Sequence, residues 1–194
     1  MKILQIGCGG IGSFLIQEIV ECIEQGQIDA FTQLHIADQD IAEIDQIKYQ
    51  NFKQDEVGQN KAKALAKRYH EYCLPIPKRI TGENQLKNYD IIVLCVDNEK
   101  TREMVVKYCH KNSTEFIDLR ATGRRIFAMP KGKHLEDNLK FIDNKDMKEY
   151  CCLVNADLEK GQIQKGNKIV ATLGVQMLLN IIRGHNNKTI SMVV

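Results

Sequence analysis

A glycine-rich turn near the start of the chain constrains the fold more than any other feature of the sequence. Residues 1–13 read MKILQIGCGGIGS, so a short apolar run, ILQI at positions 3–6, leads directly into the glycines. After them, apolar side chains recur at helical spacing from Phe14 to Ile23. A strand, a glycine turn and a helix in this order favour phosphate binding, because glycines allow close backbone approach and the helix N-terminus presents free N–H groups. The turn therefore predicts a nucleotide site over residues 7–13, with a merely structural turn as the alternative.

Two acidic residues stand at the ends of predicted strands. Residues 89–96 contain a continuous apolar run of the kind that parallel sheets bury on both faces, and Asp97 follows it. A shorter strand over 34–37 ends at Asp38. Since the carboxyl ends of parallel strands lie on the ligand side of a sheet, we expect both carboxylates to face the crevice beside the glycine turn, with Asp38 near a ribose. The predicted fold is α/β, a Rossmann-like doubly wound, mainly parallel sheet with helices on both faces.

The remaining elements follow this pattern with weaker signals. Further strands are predicted at 76–81, 115–119, 125–129 and 189–194, and further helices at about 61–69, 99–109 and 168–183. Residues 39–57 are polar and irregular. A long polar loop is predicted for about 130–166, with one short helix as the alternative. We expect a single domain over residues 1–194.

Charge and cysteine usage argue against several classes of protein. With 27 Lys and Arg against 25 Asp and Glu, the net charge of +2 disfavours a nucleic-acid surface spread over the whole molecule. A local basic stretch at 120–133 could meet an acidic partner or RNA, although such a run is usually a solvated face. The seven cysteines show no CxxC spacing, and no secretory or membrane-spanning segment is recognisable. We therefore expect a cytoplasmic protein with reduced thiols, without a zinc site and without membrane contact.

Four motifs resemble those of the ThiF/MoeB adenylating enzymes, a family that also includes the adenylation domains of ubiquitin-activating enzymes. GCGGIGS is similar to the family's GxGGxGS loop, and DQDIAEIDQIKYQNF is similar to its DxDxVxxxNLxRQxxF. VGQNKA is similar to VGxxKA, and CVDNEKTR is similar to DxxDNxxTR. The four matches occur in the family's order and nearly at its spacing, over roughly residues 1–102. The chain resembles a minimal adenylation domain, without the paired CxxC zinc motifs or the appended domains of many members.

The resemblance implies an activity and a set of site residues. Members of the family hold ATP over the glycine loop and adenylate the C-terminal carboxylate of a small ubiquitin-like or sulfur-carrier protein, with homodimerisation expected. By position, Asp38 would contact the ribose, Lys61 the phosphates and Asp97 a magnesium ion. A lysine and a divalent cation suit this chemistry, because they offset the charge that develops on the attacked phosphate. The further nucleotide contacts implied by the matched motifs are Gly7, Gly9, Gly10, Gly12, Asp40, Gln50 and Asn98.

The chain departs from the family pattern at one functional position. Gln46 and Tyr49 stand where the family has asparagine and arginine, so the arginine that usually reaches the phosphates is absent. We expect Lys48 or Lys53 to supply the missing charge, while Tyr49 donates one hydrogen bond, stacks on the adenine or packs a dimer contact. The predicted result is weak adenylation that depends on Lys61.

Two adjacent cysteines are candidates for a reactive thiol. Cys151 and Cys152 lie in the charged loop, near Lys148, where family members that form a thioester or persulfide with the carrier place a cysteine. The alternative is that both pack as small apolar residues next to Leu153 and Val154.

The sequence leaves other functions open. A nucleotide-binding but weakly catalytic module that recruits a partner is one, and a family member that activates the carboxylate of a modified tRNA base is another. A nicotinamide-dependent dehydrogenase fits the glycine turn and Asp38, but it does not explain Lys61 together with Asp97. For the single residues, Asp38 could be a solvated strand end, Lys61 a solvated helix lysine and Asp97 a helix N-cap.

Overall fold

The chain forms seven strands and five helices within the part that the structure describes. A computed structural model describes residues 1–122, 124–142 and 165–194. The strands are β1 (Lys2–Ile6), β2 (Gln33–Ala37), β3 (Cys73–Ile76), β4 (Ile91–Leu94), β5 (Glu115–Thr122), β6 (Arg125–Pro130) and β7 (Ile190–Val193). The helices are α1 (Gly12–Glu24), α2 (Lys61–Arg68), α3 (Glu99–Lys111), α4 (Leu135–Ile142) and α5 (Gly166–Ile182). Single 3₁₀ turns lie at Gln46–Lys48, Gln54–Glu56 and Glu83–Leu86.

The strands form one sheet in the order β3-β2-β1-β4-β5-β6-β7. The first five are mutually parallel, and β6 and β7 continue the sheet in antiparallel pairing. Both faces are covered: α1, α2 and α5 contribute to the hydrophobic cluster on one face, and α3 and α4 to the cluster on the other. Along β1, Ile3 packs into the first cluster and Leu4 into the second. The predicted doubly wound, mainly parallel sheet is confirmed.

The connections from β1 and β4 create the crevice in which a ligand fits. These strands are neighbours in the sheet, but β1 leads into α1 on one face whereas β4 leads into α3 on the opposite face. The two loops therefore diverge at the carboxyl ends of the strands, which is where open α/β sheets bind ligands.

The third strand lies earlier than the sequence predicted. We expected a strand over 76–81, with Pro75 as its boundary, but β3 is Cys73–Ile76 and Pro75 is aligned with Ile36 of β2. The prediction was wrong because β3 is the edge strand, and an edge strand tolerates a proline since only one of its sides is hydrogen-bonded. Residues 77–81 are thereby released into the loop that follows β3.

The predicted loop over 130–166 contains α4, which was the alternative for this segment. Residues 143–164 lie outside the described residues. The final helix and strand occur close to the predicted positions, as α5 and β7. No helix in the described part of the chain is both long and apolar enough to cross a membrane.

The basic stretch at 120–133 does not form one surface patch. Arg120 is buried and pairs with Asp118. The arginines at 124 and 125 lie at the hairpin between β5 and β6, whereas the lysines at 131 and 133 follow β6. The six residues of β6 separate the two groups by about 20 Å. The structure thus favours the solvated-face interpretation of these cations.

Two glycines of the turn are required by backbone contacts. Gly7 has a φ of +98°, in the left-handed region, and a Cβ there would lie 2.4 Å from the carbonyl oxygen of Cys95. A Cβ on Gly12 would lie 2.0 Å from the carbonyl oxygen of Gly7. Gly9, in contrast, has no atom within 4 Å of its Cβ position. The first turn of α1 therefore packs directly onto the end of β1.

We predict that Gly12→Ala lowers the free energy of unfolding by about 1–3 kcal/mol, because the new methyl group overlaps a backbone oxygen that cannot rotate away. Gly9→Ala is the matched control in the same turn and should melt within a few degrees of the wild type. Thermal unfolding followed by circular dichroism measures both. Equal melting temperatures for Gly12→Ala and the wild type would contradict the close contact between α1 and the turn.

Candidate functional site

A cavity of about 340 Å³ lies at the carboxyl ends of the parallel strands. It is lined by residues that follow β1, β2, β3 and β4 and by the start of α2. Of the residues predicted for the site, those that line it are Gly7, Gly9, Gly10, Asp38, Asp40, Tyr49, Gln50, Lys61, Asp97 and Asn98. Gly12, Lys48 and Lys53 are not among the lining residues.

The glycine turn presents unused N–H groups to this cavity. Gln5 is fully buried, and its Nε2 donates to the carbonyls of Gly7 at 2.9 Å and Gly12 at 3.0 Å, which fixes the turn from below. Helix α1 has no side-chain cap and no acidic residue in its first turn. The amides of Gly9 and Gly10 donate to no described residue. An uncompensated helix N-terminus with free amides favours an anionic ligand.

Asp38 ties the turn to the end of β2. Its Oδ2 accepts from the N–H of Cys8 at 2.7 Å, and its Oδ1 accepts from the N–H of Asp40 at 2.8 Å. Burial raises the pKa of Asp38, although the two N–H donors act in the opposite direction. Each carboxylate oxygen can accept a second hydrogen bond, so Asp38 retains the capacity to bind a ribose hydroxyl.

The backbone at Asp40 places Lys61. The N–H of Lys61 donates to the carbonyl of Asp40 at 2.8 Å, and Asn60, the N-cap of α2, donates to the same carbonyl at 3.1 Å. Lys61 is only 5% exposed, and its side chain has no ion pair or hydrogen bond among the described residues. A largely buried lysine that lines the cavity and has no protein partner favours an anion there. The alternative of a solvated lysine does not fit this burial.

Asp97 is exposed at the cavity and has no side-chain partner within the described ranges. The N-cap of α3 is instead Asn98, whose Oδ1 accepts from the N–H of Thr101 at 2.9 Å. The N-cap alternative for Asp97 is therefore wrong, and its carboxylate is available to a cation. No group of three or more His, Cys, Asp or Glu side chains that could hold a metal ion occurs in residues 1–122, 124–142 and 165–194. The single Asp97 carboxylate fits a magnesium ion that takes its other ligands from phosphate oxygens and water.

The polar segment after β2 contributes Tyr49 and Gln50 to the cavity wall. Asn51 anchors it to α1, because its N–H donates to the Ser13 hydroxyl at 2.9 Å and its Nδ2 donates to the Ser13 carbonyl at 3.2 Å. The buried Oε1 of Gln50 has no hydrogen-bond partner among the residues described, which leaves an acceptor at the wall. The lysines at 48 and 53 are exposed and do not line the cavity.

Two cations that the sequence analysis missed line the cavity. Lys78 and Arg79 follow β3, and their side chains make no ion pair or hydrogen bond with any residue in the described ranges. Arg79 also borders an adjoining cavity of about 210 Å³, together with Lys100. They were missed because the sequence analysis placed both residues within the predicted strand over 76–81 and not after its end. With the strand ending at Ile76, their position at the ligand edge follows from the same rule that identified Asp38.

The described cysteines are unsuited to nucleophilic chemistry. Cys8, Cys22, Cys73, Cys95 and Cys109 are buried thiols. Burial raises the pKa of the Cys8 thiol well above its usual value and the pKa values of Cys73 and Cys109 to about 12. The predicted reactive residues Cys151 and Cys152 lie outside the described residues.

Known proteins similar to the chain include a SUMO-activating enzyme subunit and a ubiquitin transferase-like protein. The SUMO-activating enzyme subunit uba-2 of Caenorhabditis elegans is 26% identical over 127 residues, covering 60% of this chain and 21% of that protein. The ATP-dependent ubiquitin transferase-like protein Cap2 of Enterobacter hormaechei is 24% identical over 135 residues, covering 63% of this chain and 21% of that protein. The aligned regions thus span about a fifth of these relatives.

Solved structures share the fold. Escherichia coli MccB, crystallised with ATP, has a TM-score of 0.69 and 20% identity, covering all of this chain and 60% of that chain. The E. coli tRNA N6-threonylcarbamoyladenosine dehydratase TcdA has a TM-score of 0.66 and 14% identity, covering 94% of this chain and 86% of that chain. Among protein families, the ThiF family matches residues 1–193. Because this match includes nearly every residue, the chain belongs to the ThiF family.

Proposed function

We propose that the chain is an ATP- and magnesium-dependent adenylyltransferase that activates the C-terminal carboxylate of a small ubiquitin-like or sulfur-carrier protein. The observation that carries the proposal is the meeting, in one cavity, of the unused amides of the glycine turn, a buried lysine without a protein partner and a free carboxylate. Lys61 and the amides suit phosphates, and Asp97 suits the metal ion that accompanies them.

In the proposed reaction, an oxygen of the substrate carboxylate attacks the α-phosphorus of ATP. The bond from that phosphorus to the bridging oxygen breaks, which yields an acyl adenylate and pyrophosphate. Lys61 and the amides of the glycine turn stabilise the negative charge that develops on the phosphate oxygens. Asp38 orients the nucleotide through a ribose hydroxyl. A magnesium ion at Asp97 would offset further phosphate charge.

The relatives support this reaction class but differ in what they act on. The names of two of them refer to SUMO activation and to ubiquitin transfer, and MccB is known in complexes with ATP and with MccA. TcdA is named for a tRNA nucleoside. The identity of the acceptor, the homodimer, the reactive thiol and a cytoplasmic location therefore stay predictions.

A second candidate function is that of a nucleotide-binding module with little catalysis. Tyr49 lines the cavity where the family has a phosphate-binding arginine, and this substitution favours the second candidate. A dehydrogenase is less well supported, because it gives no role to a buried Lys61 opposite a free Asp97.

We predict that the wild type binds ATP with magnesium in preference to NAD. Lys61→Ala should weaken ATP binding by roughly 10- to 100-fold, since a charge-assisted hydrogen bond contributes about 1.5–3 kcal/mol. Asp97→Ala should remove the magnesium-dependent part of binding without loss of thermal stability. Lys63→Ala, an exposed lysine on the same helix, is the control and should bind as the wild type does. Calorimetric titration measures each affinity, and tight NAD binding without ATP binding would refute the proposal.

We predict further that the cations of the cavity, rather than those of the polar segment, assist the reaction. Lys78→Ala and Arg79→Ala should each lower pyrophosphate exchange by roughly tenfold, less than the roughly 100- to 1000-fold loss of a preorganised buried donor, because both side chains are exposed. Lys48→Ala and Lys53→Ala should have smaller effects, and Tyr49→Arg should raise the rate.

The assay is pyrophosphate exchange with a panel of small carrier proteins that end in Gly-Gly. A larger loss in Lys48→Ala or Lys53→Ala than in Arg79→Ala would restore the interpretation drawn from the sequence. If the wild type shows no exchange with any carrier and Tyr49→Arg restores none, the chain is the binding module.

A further inference from the structure

A buried ion cluster lies directly behind the Asp97 loop. Asp118 on β5 is fully buried; its Oδ1 accepts from Nε of Arg102 at 2.8 Å, and its Oδ2 accepts from Nε and Nη2 of Arg120 at 3.0 and 2.6 Å. The side chains of Arg102 and Arg120 are 5% and 2% exposed. At this depth each charge depends on its partners for compensation, so the geometry of the cluster is strongly constrained.

Each arginine of the cluster also binds one backbone carbonyl. Arg102 donates through Nη2 to the carbonyl of Val96, the residue before Asp97. Arg120 donates through Nη1 to the carbonyl of Phe141, in the last turn of α4, at 3.1 Å. The arm of Arg102 ends at Val96, in the wall of the nucleotide cavity, whereas the Phe141 contact of Arg120 lies on α4.

The backbone of Asp97 is held on both sides while its side chain is left free. On one side, Arg102 binds the Val96 carbonyl. On the other side, Asn98 caps α3, and its carbonyl accepts from the N–H of Arg102 at 3.1 Å. No described residue forms a hydrogen bond or ion pair with the Asp97 carboxylate, so these flanking contacts set the backbone position from which it reaches the cavity. Partners of this kind, one contact removed from a metal, typically change metal affinity when they are lost.

We infer that Arg102 is a positioning residue for the metal-binding carboxylate. Asp118 fixes the guanidinium of Arg102, which fixes the backbone at Val96, so that Asp97 faces the metal ion that accompanies the nucleotide. Arg120 compensates the charge of Asp118 from the other side, and its bond to Phe141 leads to α4 rather than to Asp97. The inference rests on the proposed function, because it requires Asp97 to bind the metal.

The test compares Arg102→Lys with its matched control, Arg120→Lys. A lysine keeps the buried positive charge in both variants. Its single ammonium cannot donate to the Asp118 carboxylate and to a distant backbone carbonyl at the same time, as the guanidinium does. Binding of a non-hydrolysable ATP analogue is measured by calorimetry in magnesium and in EDTA. We expect Arg102→Lys to weaken binding in magnesium by about 10- to 100-fold and to leave binding in EDTA unchanged. Arg120→Lys should resemble the wild type in both conditions.

Two further measurements separate positioning from stability. Amide hydrogen exchange at 95–98 should accelerate in Arg102→Lys and not in Arg120→Lys. In an Asp97→Asn background, Arg102→Lys should have no additional effect on binding in magnesium, because the carboxylate that it directs is already gone. If Arg102→Lys does not fold, Arg102→Gln replaces it, since Asp118 then remains paired with Arg120.

The outcomes distinguish this inference from the proposed function. A wild type that binds the analogue equally in magnesium and in EDTA would refute the proposed function and the inference with it. A wild type that depends on magnesium, with equal losses in Arg102→Lys and Arg120→Lys, would overturn the inference alone and assign the cluster to stability.

Discussion

The close packing of α1 onto the end of β1 is the contact on which the site depends. Because Gly12 has no side chain, the helix can begin against the Gly7 carbonyl. The buried Gln5 donates to the carbonyls of both Gly7 and Gly12. Because the helix starts at the sheet, the unused amides of Gly9 and Gly10 lie at the sheet edge where β2 and β4 also end. The turn is therefore a packing element through Gly7 and Gly12 and a candidate anion site through the amides of Gly9 and Gly10.

Three carboxylates at and behind the candidate site, Asp38, Asp97 and Asp118, differ in what they contact. Asp38 and Asp118 accept hydrogen bonds from the protein and hold parts of the site in place. Asp97 has no partner in the described ranges although it lies between residues whose backbones are held. A held backbone together with a carboxylate that keeps its full acceptor capacity fits the proposed role of Asp97 as a metal ligand.

The fold and the centre of the site could be predicted from local patterns, whereas residues that depend on strand position or distant contacts could not. Gly7, Asp38 and Asp97 each follow an apolar run, so the parallel-sheet rule identifies them directly. Lys78 and Arg79 obey the same rule, but Pro75 concealed where β3 ends. Asp118 lies inside an apolar strand and gives no signal of its own, because its partners come from α3 and from its own strand. Helix α4 is short and follows a charged composition, so periodicity alone did not favour it over a loop.

The ionisation of Asp38 gives a physical reason for the site to favour a bound ligand. Its pKa is raised in the folded state, so the folded protein holds the proton more tightly than the unfolded chain. Stability contributed by this group consequently falls as pH rises from the ordinary carboxyl range through the raised pKa, and above that pKa the ionised carboxylate opposes folding. Two N–H donors reduce this effect without reversing it. A ligand hydroxyl that donates to either oxygen would stabilise the ionised form further, so nucleotide binding and the stability of the glycine turn are expected to be coupled through Asp38.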